Sequence, residues 1–437
     1  MSVRNVLCGL VAGVMFVGLG RAGAPGASSR PAVRYVAGVR YAAPEVARVA
    51  IPEFPGMFAI WGATGCDARG HVWFAVCGHS RKHPTAHLFE YVPTTGKVID
   101  RGDVVSQLKL AGVHRDGEMQ MKIHTRIIAA DDGHLYFASM DENDENQARE
   151  IQPTWGGHMW RYRIRENRWE HLLATDEPLI AAAGAGRYFY ALGYWGHVLY
   201  QYDRKTGKHR RLKVGSMGGH ISRNIIADAR GHVYVPRVKA GKSKRPVATL
   251  VELDTSLRQV AETPLKNYLT TGSPMHAHGI LSLQPLPDGS TAFLTHAGYL
   301  SLVVPRGNRP ARLRNLGWFH SGGRSYSSSL FSDASGRYLM GVAKRRRRDY
   351  EWVVYDLKTR KSRALPFEIS GEKSLWHSMS MLFGSATRDR AGNFYVTGKE
   401  PVWGGGSTPI LLKVTPRRVT TRHRGAEKRR GLRDSQK

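Results

Sequence analysis

The sequence predicts an all-β protein, a seven-bladed β-propeller of four-stranded antiparallel blades, and three observations predict it. One hairpin unit recurs seven times, each copy turns on a glycine, and a second hairpin follows most copies. Self-similarity with a period of roughly 40 to 50 residues is the signature of a radial or stacked repeat. The unit is an apolar strand, a short polar turn and a second strand rich in aromatic and β-branched residues. It reads CDARGHVWFAV from Cys66, ADDGHLYFAS from Ala130, AGAGRYFYALG from Ala183, ADARGHVYVP from Ala227, LPDGSTAFLT from Leu286, SDASGRYLMGV from Ser332 and RDRAGNFYVTG from Arg388. The turn glycines Gly70, Gly133, Gly186, Gly231, Gly289, Gly336 and Gly392 are 63, 53, 45, 58, 47 and 56 residues apart. The second hairpin, as in HLFEYVPTTGKVIDRG, MWRYRIRENRWEHLL, VLYQYDRKTGKHRRLKV and WVVYDLKTRKSRALPF, alternates with period two about a polar turn. Two hairpins per repeat make a four-stranded sheet, and seven such sheets set radially make a propeller.

Taken from the N-terminus, residues 1–24 read as a signal peptide. Arg4 supplies the positive end, Val6 to Leu19 a nearly unbroken apolar run, and Arg21-Ala22-Gly23-Ala24 the small residues of a cleavage site. The run is short for a permanent span, so the expectation is a secreted or periplasmic monomer with no stable membrane insertion once the signal is removed. Cys8 leaves with the signal. Cys66 and Cys77 flank a hairpin whose turn separates them along neighbouring strands, which predicts two separate thiols rather than a disulfide. The propeller is assigned to residues 33–416, with no linker inside it. The last repeat, PILLKVTPRRV, leaves little sequence for an outer strand, and VRYVAGVRY at Val33 to Tyr41 is a strand without a blade. The N-terminal strand is therefore expected to complete the final blade and close the ring. Residues 417–437 carry nine basic and two acidic side chains and are read as a disordered tail. The acidic run DENDENQARE, Asp141 to Glu150, lacks the glycine and distal glutamate of an EF-hand loop and reads as an exposed insertion. Lys344 to Arg348 reads as a solvated basic loop.

An apolar content of 41% excludes a disordered chain, and 48 glycines suit a fold of many tight turns. The 65 basic against 35 acidic residues give a net charge of +30, which draws polyanions. For an exported chain this points to an acidic polysaccharide or oligosaccharide as partner, and away from nucleic acid.

In a propeller the inner strands line the axis, so their starting ends, upstream of each turn glycine, should surround a pocket. Those positions hold Trp61, His124 with Arg126, His220 with Arg223, His276 with His278, Tyr326 and His377. The chain returns to the same end after each second strand, at His79, His158, Tyr194 with His197, His296 and Trp403. His276 and His278 share one face of a strand, a spacing that suits a metal, although two ligands do not make a site. A divalent metal held by pocket histidines stays open, and no other cofactor is expected.

The segments KIHTRI, GGHMW and GGHISRN in this setting resemble the propeller polysaccharide lyases, most nearly the ulvan lyases. The resemblance implies β-elimination on a uronate-containing polysaccharide, with His124 and His158 matching the family's histidines and Arg223 its carboxylate-binding arginine. Tyr194, Tyr200 and Tyr202 are candidates for the tyrosine, and the loop before GGHMW is long for the pattern. On chemical grounds such a reaction needs a base for the proton beside the carboxylate, an acid for the leaving oxygen and a cation for the developing enolate. His124 or His158, Tyr194 and Arg223 supply these, with Arg126, His220, His278, Tyr326 and His377 as substrate-binding residues. The rival reading is a noncatalytic propeller that binds glycan or protein at the cell surface, since a fold does not fix an activity.

Overall fold

Seven antiparallel sheets make up the computed structural model, which describes residues 39–420 except 81, 147–148, 243, 271–278, 346–349, 373–379 and 403. Six blades follow in chain order, spanning residues 57–103, 128–175, 179–213, 226–264, 280–318 and 326–366. Blade 7 takes three strands from Met381–Arg388, Phe394–Pro401 and Ser407–Thr420, and its outer strand is Val39–Arg48 from the other end of the chain. The predicted repeat count and ring closure both hold. The closing strand runs past the predicted end at Tyr41 to Arg48, because Pro44 is accommodated rather than avoided. Register is lost between Ala42 and Glu45, so the proline falls in a bulge where its missing N–H interrupts no ladder.

Every predicted turn glycine joins the first two strands of its blade, and all seven have positive φ, Gly70 at 89° for example. In three blades the turn follows one pattern: Asp, glycine three residues on, and a buried aromatic donor six residues on. Trp73 Nε1 donates to Asp67 at 3.1 Å, Tyr234 Oη to Asp228 at 2.6 Å, and Tyr395 Oη to Asp389 at 2.8 Å. The carboxylate therefore fixes the turn and the second strand together. Blades 1 and 4 elaborate it alike. Arg69 links Asp67 to Glu90, with His71 on Glu90; Arg230 links Asp228 to Glu252, with His232 on Glu252.

Apolar side chains pack between neighbouring blades. Trp73, Leu88, Leu135, Trp160 and Tyr162 fill the interface of blades 1 and 2, and Phe331, Trp352, Phe394 and Leu412 that of blades 6 and 7. One helix, Val104–Leu110, caps itself on Asp103 as the chain passes from blade 1 to blade 2. Among the described residues no helix is long and apolar enough to cross a membrane. Cys66 and Cys77 are both free thiols. Arg417 and Arg418 belong to the last strand, opposite Ala42 and Tyr41, so order extends slightly beyond the predicted boundary. The signal segment, the tail beyond Thr420, and His276, His278, His377 and Trp403 lie outside the described residues.

Candidate functional site at the axial mouth

At the end opposite the turn glycines the inner strands become irregular and polar. The inner strand of blade 1 is broken between Ala59 and Thr64. Gly62 sits in the break at φ 97°, where an added Cβ would lie 1.9 Å from the Gly384 carbonyl oxygen, so glycine alone permits this approach of blades 1 and 7. The break brings Trp61 against residues of three other blades. Its ring centroid lies 4.1 Å from that of Phe383, and 6.1 Å from that of His124 at an interplanar angle of 18°. Lys122 Nζ, Lys399 Nζ and Arg223 Cζ stand 4.6, 5.4 and 6.0 Å from the indole centroid. Three cations thus stand around one indole ring.

Arg223, at the start of blade 4, donates from Nη1 to the Tyr326 hydroxyl of blade 6 at 3.1 Å. Its Nε is buried without an acceptor, and no carboxylate pairs with it among the described residues. His296 of blade 5 meets Tyr326 edge-on, with ring centroids 5.4 Å apart. His124 is buried, and its Nδ1 lies 3.1 Å from the Ile180 carbonyl oxygen, which fixes the proton on Nδ1. Burial first, and then the charges of Arg223 and Lys122, hold this imidazole well below its ordinary pKa. The ring is neutral, with an unprotonated Nε2 that has no partner among the described residues.

Blade 2 adds an acidic flank. Glu142 bonds Lys122 Nζ and lies 2.9 Å from His79 Nε2, while His79 stacks on Phe58 with centroids 4.2 Å apart. Burial opposes ionisation of Glu142, but His79 and Lys122 hold its carboxyl down at about 2. Burial pushes Glu145 and the neighbouring Tyr194 hydroxyl upward, so Tyr194 remains a phenol. The sequence places Glu142 and Glu145 in an exposed insertion, and the structure corrects this. Asp141 accepts from the backbone of Glu142, Asn143 and Trp155, and Glu150 accepts from Gly219 N at 2.6 Å, folding the loop back toward blade 4. Lys122, Phe383 and Lys399 also escape the sequence reading, which weighs histidines and arginines. Lys122 stands two residues before His124, and Phe383 is the third residue of the inner strand of blade 7, so register alone points to both.

Several expected residues lie elsewhere. His158 is 1% exposed, with Nδ1 2.9 Å from His171 and Nε2 2.8 Å from Glu118, so both nitrogens are committed. His220 is likewise buried between Ser216, at 2.7 Å, and the Tyr268 hydroxyl, at 2.8 Å. Tyr200 and Tyr202 pack in the core between blades 2 and 3. Arg126 lies deeper on the axis. Among the described residues the pocket histidines form no three-ligand group. The one such set, Asp67, His71 and Glu90, is the arginine-bound turn network that blade 4 repeats.

Seven blades closed by the N-terminal strand define the class: this chain is a seven-bladed β-propeller. No protein family matches the sequence, and neither does any curated protein. Among solved structures it is similar to the β-propeller domain of Cps50 (Swd1) from Myceliophteria thermophila, with TM-score 0.51 and 10% identity over 85% of this chain and 100% of that one. It is similar to a protein of unknown function from Dyadobacter fermentans, with TM-score 0.50 and 10% identity over 87% and 100% of the two chains. U3-55K is comparable, with TM-score 0.50 and 10% identity over 85% and 99%. These diverse propellers share the fold with this chain, and at such identities the likeness extends to the fold alone. None of the three singles out the polysaccharide lyases.

Proposed function

We propose that this chain is an exported propeller that binds a uronate-containing polysaccharide across its axial mouth and cleaves it by β-elimination. The observation that carries the reading is Arg223, a part-buried guanidinium beside the Trp61 indole, with a buried Nε–H lacking an acceptor and no carboxylate partner among the described residues. A planar guanidinium matches a carboxylate with two parallel hydrogen bonds, and an indole face offers a platform for a sugar ring. Lys399 extends the positive field, while Lys122 is paired with Glu142. An open groove of about 530 Å3 runs beside His79 and Glu142, lined also by Pro84, Met119 and Met121, and gives room for neighbouring sugars.

In the elimination, Arg223 neutralises the uronate carboxylate and stabilises the enolate charge as the adjacent C–H bond breaks. That proton passes to His124 Nε2, and its electron pair forms the new ring double bond. The glycosidic C–O bond on the next carbon then breaks. The departing oxygen takes a proton from Tyr326, whose phenolate would rest on Arg223. Tyr326 suits this step better than Tyr194, because Tyr194 is flanked by Glu145 and Glu142 and burial opposes its ionisation.

Uronate polysaccharides incubated with the protein should yield the ultraviolet absorbance of a conjugated unsaturated product. Arg223→Lys keeps the charge but loses the fork, and turnover should fall at an unchanged melting temperature. His124→Ala should lose about 10²- to 10⁴-fold in rate. With His158 committed elsewhere the acid–base set is small, which favours a binding-only propeller as the second reading. Saturable glycan binding that Trp61→Ala abolishes, without any absorbance change, would establish that second reading, and absence of both signals would overturn the two together.

A further inference from the structure

A second cationic site lies on the same axis, nearer the turn glycines, and the glycan chemistry makes no use of it. A cavity of about 360 Å3 runs between the inner strands there. Its wall includes Thr64, Arg126, Gln284, Ser332, Thr387 and Arg388, and it contains two arginines and no carboxylate. Most of the remaining wall is small or apolar, from strand positions such as Ala129, Ala183 and Ile225.

Arg126 is what makes this wall unusual. The arginines of the turn networks are neutralised: Arg69 by Asp67 and Glu90, Arg230 by Asp228 and Glu252, Arg337 by Asp356. Arg126 has no hydrogen bond and no ion pair among the described residues, and burial alone pushes its guanidinium down to about 10. A cation taken from water without a counter-charge weakens the fold, and a bound anion would reverse that loss. Size and geometry limit the choice of anion. The cavity sits at the small end of ligand sites, which run from about 300 Å3 upward, and blades on every side exclude a polymer. A guanidinium presents paired N–H groups that match two oxygens of one oxyanion.

We propose that the axial channel is a binding site for one small tetrahedral oxyanion, of the sulfate or phosphate class, gripped by Arg126 with Arg388 at its outer end. The site is independent of the glycan mouth, where Trp61 and Arg223 act.

Titration calorimetry and thermal melts with sulfate and with phosphate, at ionic strength held constant with chloride, test this on the whole mature protein. Saturable binding and a saturable rise in melting temperature are expected for either oxyanion. In Arg126→Gln the affinity should drop about tenfold or more, as expected for loss of charge-assisted hydrogen bonds. Without oxyanion, Arg126→Gln should melt no lower than the native protein, because it removes an uncompensated cation. A purely structural arginine would show the opposite. Arg126→Lys, which keeps the charge and the fold, should bind more weakly than the native chain and decides the matter if the glutamine variant does not fold. No saturable response in the native protein, or one that persists unchanged in both variants, would overturn the proposal. A response to chloride alone would do the same. Glycan binding measured on the same variants should be unaltered, so failure here leaves the mouth's function standing.

Discussion

His124 gives one ring nitrogen to the protein and leaves the other without a partner among the described residues, whereas His158 gives both away. The two have the same sequence cue, a histidine at the pocket end of a strand, and only the third dimension separates them. His158 opens the third strand of its blade and meets His171 on the fourth, away from the axis, while His124 precedes an inner strand. Burial leaves a signature in the pH dependence of stability. It holds His124 well below its ordinary pKa, and lowers His171 and His197 to about 4 each. The unfolded chain therefore binds protons that the native state refuses, beginning as pH falls through about 6.5. Stability should be full at neutral pH and decline toward pH 4, by at most about 1.4 kcal/mol per pH unit for each histidine. Glu142 and Glu262, held at about 2, add their losses only in more acid solution. Denaturant unfolding between pH 7 and 4.5 should show the slope, and His171→Gln should make it shallower. A flat profile over that range would mean these rings are hydrated in the native state.

At the scale of the element, the glycine turn carries most of what the sequence makes legible. It marks seven hairpins because the physics is local: a tight turn needs positive φ at one residue, and in blades 1, 4 and 7 an aspartate three residues earlier binds the backbone beyond it. Asp228 Oδ1 accepts from Arg230 N and His232 N, and its Oδ2 from Tyr234 and the Arg230 side chain. Asp228→Ala would remove the acceptor shared by two turn N–H groups and the Tyr234 hydroxyl, leaving Glu252 as the one carboxylate on Arg230, and should cost about 2 kcal/mol or more. Asp131→Ala, in the corresponding turn of blade 2 but with an exposed side chain, should cost under about 0.5 kcal/mol. Equal losses in the two unfolding curves would contradict the role given to the turn carboxylate. The acidic loop was less legible for the opposite reason. Its conformation depends on Glu150 reaching Gly219, far along the chain, and nothing in DENDENQARE announces a partner there. The sequence alone therefore places Glu142 and Glu145 in solvent, away from the mouth.

At the scale of the whole molecule, a ring of blades has one seam, and both ends of the described chain meet at it. The outer strand of blade 7 runs antiparallel to Ser407–Thr420, with Val46 opposite Val414 and Arg48 opposite Leu412. Tyr41 reaches blade 6, donating to Asp333 at 3.2 Å, and Ser370 N donates to the Val46 carbonyl at 3.0 Å. The sequence revealed this closure because a strand without a blade at one end matched a blade short of a strand at the other. Two forces could hold the seam. Val46 is fully buried in the core of blades 6 and 7, whereas Arg48 makes a two-carboxylate bridge to Glu372 and Glu400 near the surface. Burial of one valine is worth about 2 kcal/mol, and a partly exposed ion pair about 1 kcal/mol or less, further weakened by salt. Val46→Ala should therefore lower the thermal midpoint more than Arg48→Ala, and the gap should widen in 1 M salt, where the ion pair is screened over about 3 Å. Melts of the two variants in low and high salt measure this directly. If Arg48→Ala proves the more damaging in both, the seam is electrostatic, and a chain carrying +30 overall would be holding its ring shut with two of its 35 carboxylates.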